Sequence, residues 1–251
     1  MAGSVAVLPD GLRLWVDTTD RHIAGHAIAG RYELNELDFV RRAVRPGGHV
    51  LDVGAHIGIF TVRMASLVGP GGSVTAIEPL PRHVGSLRRS LAASGLAGRV
   101  RVVRAAATDV SGTRELIVAA PGLASANAWL RPAALASAPD ATTLRVATVR
   151  VDDVVVRRPI SFVRLDVEGA EGLALHGASE ILTRDRPSVL AELHPHLLPH
   201  VSDMDARDCL EFMAGLGYRC HRLAAGVPGA EITDVPEMAV ASVIFLPADR
   251  R

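Results

Sequence analysis

Asp52, Glu78, Asp166, Glu192 and His194 are of types that do acid–base or cation-binding chemistry, and each stands beside a short apolar run. Val50-Leu51 precedes Asp52, Val74–Ile77 precedes Glu78, and Ile160–Leu165 precedes Asp166. Glu192 lies near the end of Ser188–Leu193, and His194 follows it. If the runs are strands, these side chains sit at carboxyl ends, where open α/β sheets bind ligands. Glu192 and His194, two apart, share a strand face. They converge on Asp166 if their strand neighbours the one it ends. An imidazole or carboxylate so placed is a general base, and two carboxylates also suit a divalent ion. The structural alternatives are plain. Asp166 is a natural cap for a following helix, and His194-Pro195-His196 is a natural turn. Glu168 and Glu171 read as first-turn residues favoured by the helix dipole.

The elements that must position these groups begin with Val50-Leu51-Asp52-Val53-Gly54-Ala55-His56-Ile57-Gly58-Ile59-Phe60-Thr61. This reads as a strand, a glycine turn and a helix start, the opening of a nucleotide-binding unit. Gly54 and Gly58 allow backbone to approach a ligand, and the helix start offers free N–H groups. A dinucleotide fingerprint would need a further glycine between them, to admit a pyrophosphate. Asp52 ahead of the turn suits a cationic ligand better than a phosphate. S-adenosylmethionine, with an ammonium and a sulfonium, fits that requirement. Glu78 after the second strand is the expected ribose anchor, with Pro79 stiffening the turn beyond it. Ala105 and Ala106, at the end of a third strand, would leave room for an adenine ring.

Along the chain, Val5–Leu8 and Leu12–Val16 suggest a hairpin flanking the main sheet, within an N-terminal extension over residues 1–30. His22–Ala29 is weakly helical. Arg31–Glu36 follows, then Leu37, Val40 and Val44 at helical spacing, closing at Arg45-Pro46-Gly47-Gly48; Tyr32, Glu33 and Glu36 read as helix-start residues rather than ligand contacts. Helices are expected at Gly58–Val68, Arg82–Ala93, from Glu171 through Leu182, and at Met204–Leu216. Strands are expected at Val100–Arg104, Arg114–Val118, Leu144–Val151, Ile160–Leu165, Ser188–Leu193, Tyr218–Leu223 and Ala239–Leu246. Such alternation predicts one α/β domain over residues 1–251, a mainly parallel sheet with helices on both faces. Residues 119–143 lack periodicity and read as a substrate-facing flap.

At 251 residues, 49% of them hydrophobic, the chain can bury a full α/β core. Its 27 basic residues, all arginine, balance 27 acidic ones, so no net field draws in nucleic acid or an anionic membrane. Cys209 and Cys220 are too few for a disulfide framework. No apolar run is long enough to span a bilayer. No basic stretch followed by an apolar core opens the chain, so a cytoplasmic location is expected.

Several stretches together resemble the FkbM family of methyltransferases. They are Asp52-Val-Gly54-Ala-His-Ile-Gly58-Ile-Phe-Thr61, Ile77-Glu78-Pro79, the Ala-Ala-Thr-Asp109 turn, Arg164-Leu-Asp166-Val-Glu168-Gly-Ala-Glu171 and Glu192-Leu-His194. The resemblance spans roughly residues 31–200. It implies the Rossmann-like, seven-stranded methyltransferase sheet with an antiparallel last strand, S-adenosylmethionine as cofactor, and O-methylation of a sugar or secondary-metabolite hydroxyl. His56 departs from the asparagine often found there.

The expected cofactor residues are therefore Asp52, Gly54, Ala55, His56, Gly58, Glu78, Pro79, Ala105 and Ala106. Asp166 and His194 are the expected bases, with Glu192 orienting the imidazole or the acceptor. Magnesium on Asp166 and Glu192 is the competing mechanism, ranked lower because no third protein ligand is evident. A nicotinamide dehydrogenase on the same fold lacks its middle glycine. A nucleic-acid methyltransferase disagrees with the neutral charge and the 4% aromatic content. A non-catalytic cofactor-binding protein is the remaining alternative. The acceptor and the oligomeric state have no signature in the sequence.

Overall fold

The computed structural model describes residues 3–17, 21–118, 128–131, 142–236 and 239–249. The chain opens with β1 (Gly3–Val7), β2 (Arg13–Asp17), α1 (Arg21–Ile28) and α2 (Leu34–Ala43). Next come β3 (His49–Val53), α3 (Ile59–Leu67), β4 (Ser73–Ile77), α4 (Pro81–Ala93) and β5 (Val100–Val103). A run of strands follows: β6 (Ala106–Thr108), β7 (Gly112–Val118), β8 (Ala128–Leu130) and β9 (Thr142–Arg150). Then come β10 (Ile160–Leu165), α5 (Glu171–Gly177), α6 (Ser179–Arg184), β11 (Ser188–Leu193), α7 (Leu198–Val201) and α8 (Ala206–Gly215). The chain closes with β12 (Tyr218–Ala224), β13 (Val227–Glu231) and β14 (Ala241–Pro247).

The main sheet has eight strands in the order β13-β12-β14-β11-β10-β3-β4-β5. Strands β11, β10, β3, β4 and β5 pair in parallel, and β14 runs antiparallel to both β11 and β12. The sheet is mainly parallel with its last strand, β14, antiparallel, as expected; at eight strands, with β13 on the edge, it has one more than the seven that the resemblance implies. Strand alternation divides the core between the two faces. Val50, Phe162, Leu190 and Ile244 pack with Phe60, Met64 and Leu87 on one face. Leu51, Val163, Val189 and Phe245 pack with Leu175, Ile181 and Met213 on the other. Covered on both sides, the central strands read as continuous apolar runs. Strand β3 lies between β4 and β10, so the chain reverses its direction of travel across the sheet there. This switch point leaves a crevice at the carboxyl ends.

The expected hairpin forms as a separate two-stranded sheet, not on an edge of the main one. It packs on α4, where the Trp15 amide donates to Ser90 Oγ at 2.8 Å and the Arg13 amide to Ser94 Oγ at 3.0 Å. The expected single helix through Leu182 is two, α5 and α6, meeting at Ala178. The larger difference lies between β5 and β10. There the expected strands Arg114–Val118 and Leu144–Val151 are β7 and β9 of a second sheet, β6-β9-β7-β8, with β6 and β8 as strands the sequence reading left out. Of the expected irregular segment over residues 119–143, Ala128–Leu130 is a strand paired to β7, and Thr142 and Thr143 belong to β9. Three residues are too few to show a period of two. Residues 119–127 and 132–141, where most of the expected flap falls, lie outside the described residues. Among those described, no helix is long and apolar enough to cross a membrane.

Candidate active site

The crevice is a cleft of about 1070 Å³ including its open mouth, with Gly54, Ala55, Glu78, Ala105, Ala106, Asp166 and Glu192 among its walls. Its first wall is built by the turn after β3. Gly54 has φ 88°, and any Cβ there would overlap the Asp166 carbonyl oxygen. Glycine thus lets the ends of β3 and β10 close on each other. The Gly54 and Ala55 amides donate to the Ile77 carbonyl at 2.9 and 3.0 Å, tying the turn to β4. Glu78 is then aimed by backbone: Oε2 accepts from the His56 amide and Oε1 from the Leu80 amide, each at 2.9 Å. His83 Nδ1 lies 3.2 Å from Oε1. Ala105, Ala106 and Ala107 give that side a wall of small side chains.

The opposite wall is organised by Arg164, a buried cation in a strand of otherwise largely apolar residues. Its Nη2 is 2.5 Å from Asp166 Oδ2 and 3.7 Å from Glu33 Oε2. Its Nη1 donates to the Gly54 carbonyl at 2.9 Å and is 3.7 Å from Asp52 Oδ1. The guanidinium carbon lies 4.3 Å from the Phe60 ring centroid. Burial disfavours the charge, but Asp166, Asp52 and Glu33 outweigh it and raise the arginine's pKa. Tyr32 and Glu33 share a hydrogen bond and line the cleft. Burial pushes both of their pKa values up.

Behind Asp166, His194 is 5% exposed and hidden from the cleft. Its Nδ1 is 3.2 Å from Glu171 Oε1, and its Nε2 is 3.4 Å from Glu168 Oε2 and 3.9 Å from Glu192 Oε1. Burial opposes a charge on this ring. The bond to Glu171 and the charges of Glu171, Glu168 and Asp166 prevail, pushing its pKa up to about 9. Burial, with Asp166 and Glu33 nearby, raises Glu192 to about 8. Burial, with Asp166 and Glu171 nearby, raises Glu168 to about 7, against the pull of His194. The wall therefore carries an excess of carboxylates over cations. Such a site attracts positive charge.

A family description, the methyltransferase FkbM domain, matches residues 52–220. The chain belongs to the FkbM methyltransferase family. It is 30% identical over 213 residues to the 31-O-demethyl-FK506 methyltransferase FkbM of Streptomyces tacrolimicus, an alignment covering 73% of this chain and 81% of that protein. Its fold resembles the crystal structure of methyltransferase FkbM from Methylobacillus flagellatus, with a TM-score of 0.51 at 14% identity. That likeness covers 92% of this chain, which spans 55% of the length of the other.

As an FkbM-family protein the chain is an S-adenosylmethionine-dependent methyltransferase, and the cleft fits that cofactor. Glu78 would offer a ribose diol a carboxylate already oriented by two amides, the small side chains of Ala105–Ala107 would face a flat base, and the acidic wall would suit a sulfonium and an ammonium. Gly54, Ala55, His56, Glu78, Pro79, Ala105 and Ala106 all line it. Two expected contacts do not. Gly58, with φ 96°, starts α3 beneath Leu87, so it serves packing rather than ligand approach. Asp52 is fully buried, accepting from the Thr61 hydroxyl and facing Arg164. Burial raises its pKa against both partners, and it is not among the residues that line the cleft.

Strands β10 and β11 are neighbours, so the expected convergence of Asp166, Glu192 and His194 is present. Asp166 caps no helix; α5 begins after Ala170, without a side-chain cap. Glu171 stands in the first turn of α5, as expected, and Glu168 does not. Glu168 lies before α5 at φ 52° and lines the cleft, while Glu171 is fully buried against His194. Tyr32 and Glu33 are cleft residues too. Arg164 had a legible signal, a single cation in an apolar run. Glu168 and Glu171 had a weaker one, acids just past a strand's carboxyl end.

Proposed function

We propose that this FkbM-family methyltransferase transfers the methyl group to a hydroxyl oxygen of a small, partly apolar acceptor such as a sugar-bearing or polyketide metabolite, with Glu192 as general base. The observation that carries the reading is the makeup of the cleft beyond the cofactor residues. Asp166, Glu168 and Glu192 stand on one side, and Leu116, Ala128 and Leu130 of the second sheet on another. Acids would receive a hydroxyl, and apolar strands the body around it. The relative from Streptomyces tacrolimicus is named for a methyl transfer to oxygen on FK506, which agrees with such an acceptor.

In this reading the acceptor oxygen forms a bond to the methyl carbon as the sulfur–carbon bond breaks. The hydroxyl proton passes to Glu192, and the products are a methyl ether and S-adenosylhomocysteine. Positioning supplies much of the rate. Glu192 is preferred over the two residues first expected. Asp166 spends Oδ2 on Arg164, and His194 is hidden behind the wall. Incubation with hydroxylated glycosides and polyketides, read as a mass gain of one methyl, tests the reaction. Glu192→Gln should lower turnover about 10²–10⁴-fold, the usual contribution of a general base. Its affinity for S-adenosylhomocysteine should not change. Full turnover in that variant would remove Glu192 from the chemistry, and methylation confined to nitrogen or carbon would overturn the acceptor class.

A further inference from the structure

We infer that the acidic wall is a binding site for one divalent transition-metal cation, held by Asp166, Glu168 and Nε2 of His194. Its use, presenting the acceptor hydroxyl to the methyl group, rests on the O-methylation reading; the site itself rests on the cluster alone. One ligand atom from each residue lies within 4.8 Å of the other two. Metal–ligand distances of about 2.0–2.2 Å put neighbouring donors about 3 Å apart and opposite donors about 4 Å apart. The 3.4 Å between His194 Nε2 and Glu168 Oε2 is therefore close to that of two adjacent ligands.

The surroundings of His194 are those of a metal ligand. A coordinating imidazole donates its other N–H to a carboxylate, which fixes the tautomer and aims the free nitrogen. Glu171 does this at 3.2 Å from Nδ1, and is itself held by the Val167 and Gly169 amides at 3.3 and 3.1 Å. Glu171 is fully buried, and its Oε2 has no hydrogen-bond partner among the described residues. A half-satisfied buried carboxylate against an imidazole favours positive charge on that ring, which a proton supplies in the free protein and a cation on Nε2 would supply in its place. Asp166 and Glu168 line the cleft, so a cation between them would have open positions facing the acceptor, as catalytic metals do.

This donor set differs from the magnesium pair expected from sequence. Glu168 and His194 join Asp166, and Glu192 drops out of the cluster and is left as the base. One imidazole with two carboxylates favours manganese, iron, cobalt or zinc over magnesium.

Tag-free protein stripped with chelator should be titrated with Mn²⁺ while the free-ion electron-spin signal is followed, without acceptor. The expected result is a single site, with nitrogen coupling from the histidine in the bound-ion spectrum. Glu168→Gln should abolish that site, and Glu171→Gln should weaken it about 10–100-fold, the usual effect of losing a partner behind a ligand. His194→Ala should lose the nitrogen coupling. Retained affinity for S-adenosylhomocysteine in each variant shows that the fold is intact. No binding of Mn²⁺, Co²⁺ or Zn²⁺ at millimolar concentration, or binding undiminished in Glu168→Gln, would overturn the site. Tight binding in a protein that methylates no hydroxylated acceptor would uphold the site and remove the O-methylation reading. Undiminished methylation after chelation, without binding, would do the reverse.

Discussion

On the β4 side of the cleft the polar groups are aimed by backbone; on the β10 and β11 side they are aimed by one another. Glu78 takes the amides of His56 and Leu80, which are fixed by the turns in which they lie. Arg164, by contrast, is shared among Asp166, Asp52 and Glu33, and His194 among Glu171, Glu168 and Glu192. A side chain held by backbone can be lost alone. Side chains that hold one another must fail together, because removing one leaves buried charge without compensation. The first arrangement would suit a wall that holds the same cofactor in every turnover, the role proposed for it. The second collects the excess negative charge that a sulfonium, a proton or a metal can answer.

The largest expected effect follows from that contrast. Arg164→Met should destabilise the protein by about 3–5 kcal/mol, the cost of breaking a buried ion pair by deleting one partner. Urea unfolding followed by circular dichroism measures it. Adding Asp166→Asn to Arg164→Met should restore part of the loss, because the two changes remove opposing charges in contact. Strict additivity, or a loss below about 1 kcal/mol for Arg164→Met, would show that the wall is not mutually supported.

On the other wall, Glu78→Ala should weaken S-adenosylhomocysteine binding by about 1.5–3 kcal/mol, the scale of hydrogen bonds to a charged group. The apo protein should lose about 1–2 kcal/mol of stability as well, since two amides lose their acceptor. Calorimetry and urea unfolding separate the two. Cofactor affinity unchanged in Glu78→Ala would break the assignment of this wall to the ribose.

The contrast also explains what could be read from the chain. The β3 turn, Glu78 and the alanine wall are local: strand, glycine and acid follow each other within a few residues, so position along the chain predicts position in the cleft. The meeting of Asp166, Glu192 and His194 was legible only on the condition that their strands are neighbours, and the pairing of β10 with β11 meets that condition. Arg164 is different, since its role comes from Asp52 and Glu33, more than a hundred residues away. No local pattern shows that Asp52 faces this arginine and does not line the cleft. Glu171 is a first-turn residue of α5 as expected, but its contact with His194, and the place of Glu168 in the cleft, went unread because acids near a helix start are commonly accounted for by the helix dipole. Only the packing of α5 under His194 turns them inward. Strand β8 was missed because three residues carry no measurable period, and its partner is supplied by tertiary pairing.

The smallest expected effect tests whether the cofactor wall is truly a backbone wall. His56 has φ 50°, in the left-handed region where asparagine is most at ease among residues with a Cβ and histidine is tolerated. Its amide, not its ring, holds Glu78, and the ring lies 3.9 Å from that of His83. His56→Asn should therefore trade some ring packing for an easier backbone, leaving stability within about 0.5 kcal/mol. S-adenosylhomocysteine affinity should change less than threefold. His56→Val keeps the amide but forces a β-branched residue into the left-handed region, and should cost about 1–2 kcal/mol. Unfolding midpoints and calorimetry on the two variants decide the matter. A tenfold loss of cofactor affinity in His56→Asn would mean that the imidazole itself meets the ligand, and the contrast between the two walls would fail at this residue.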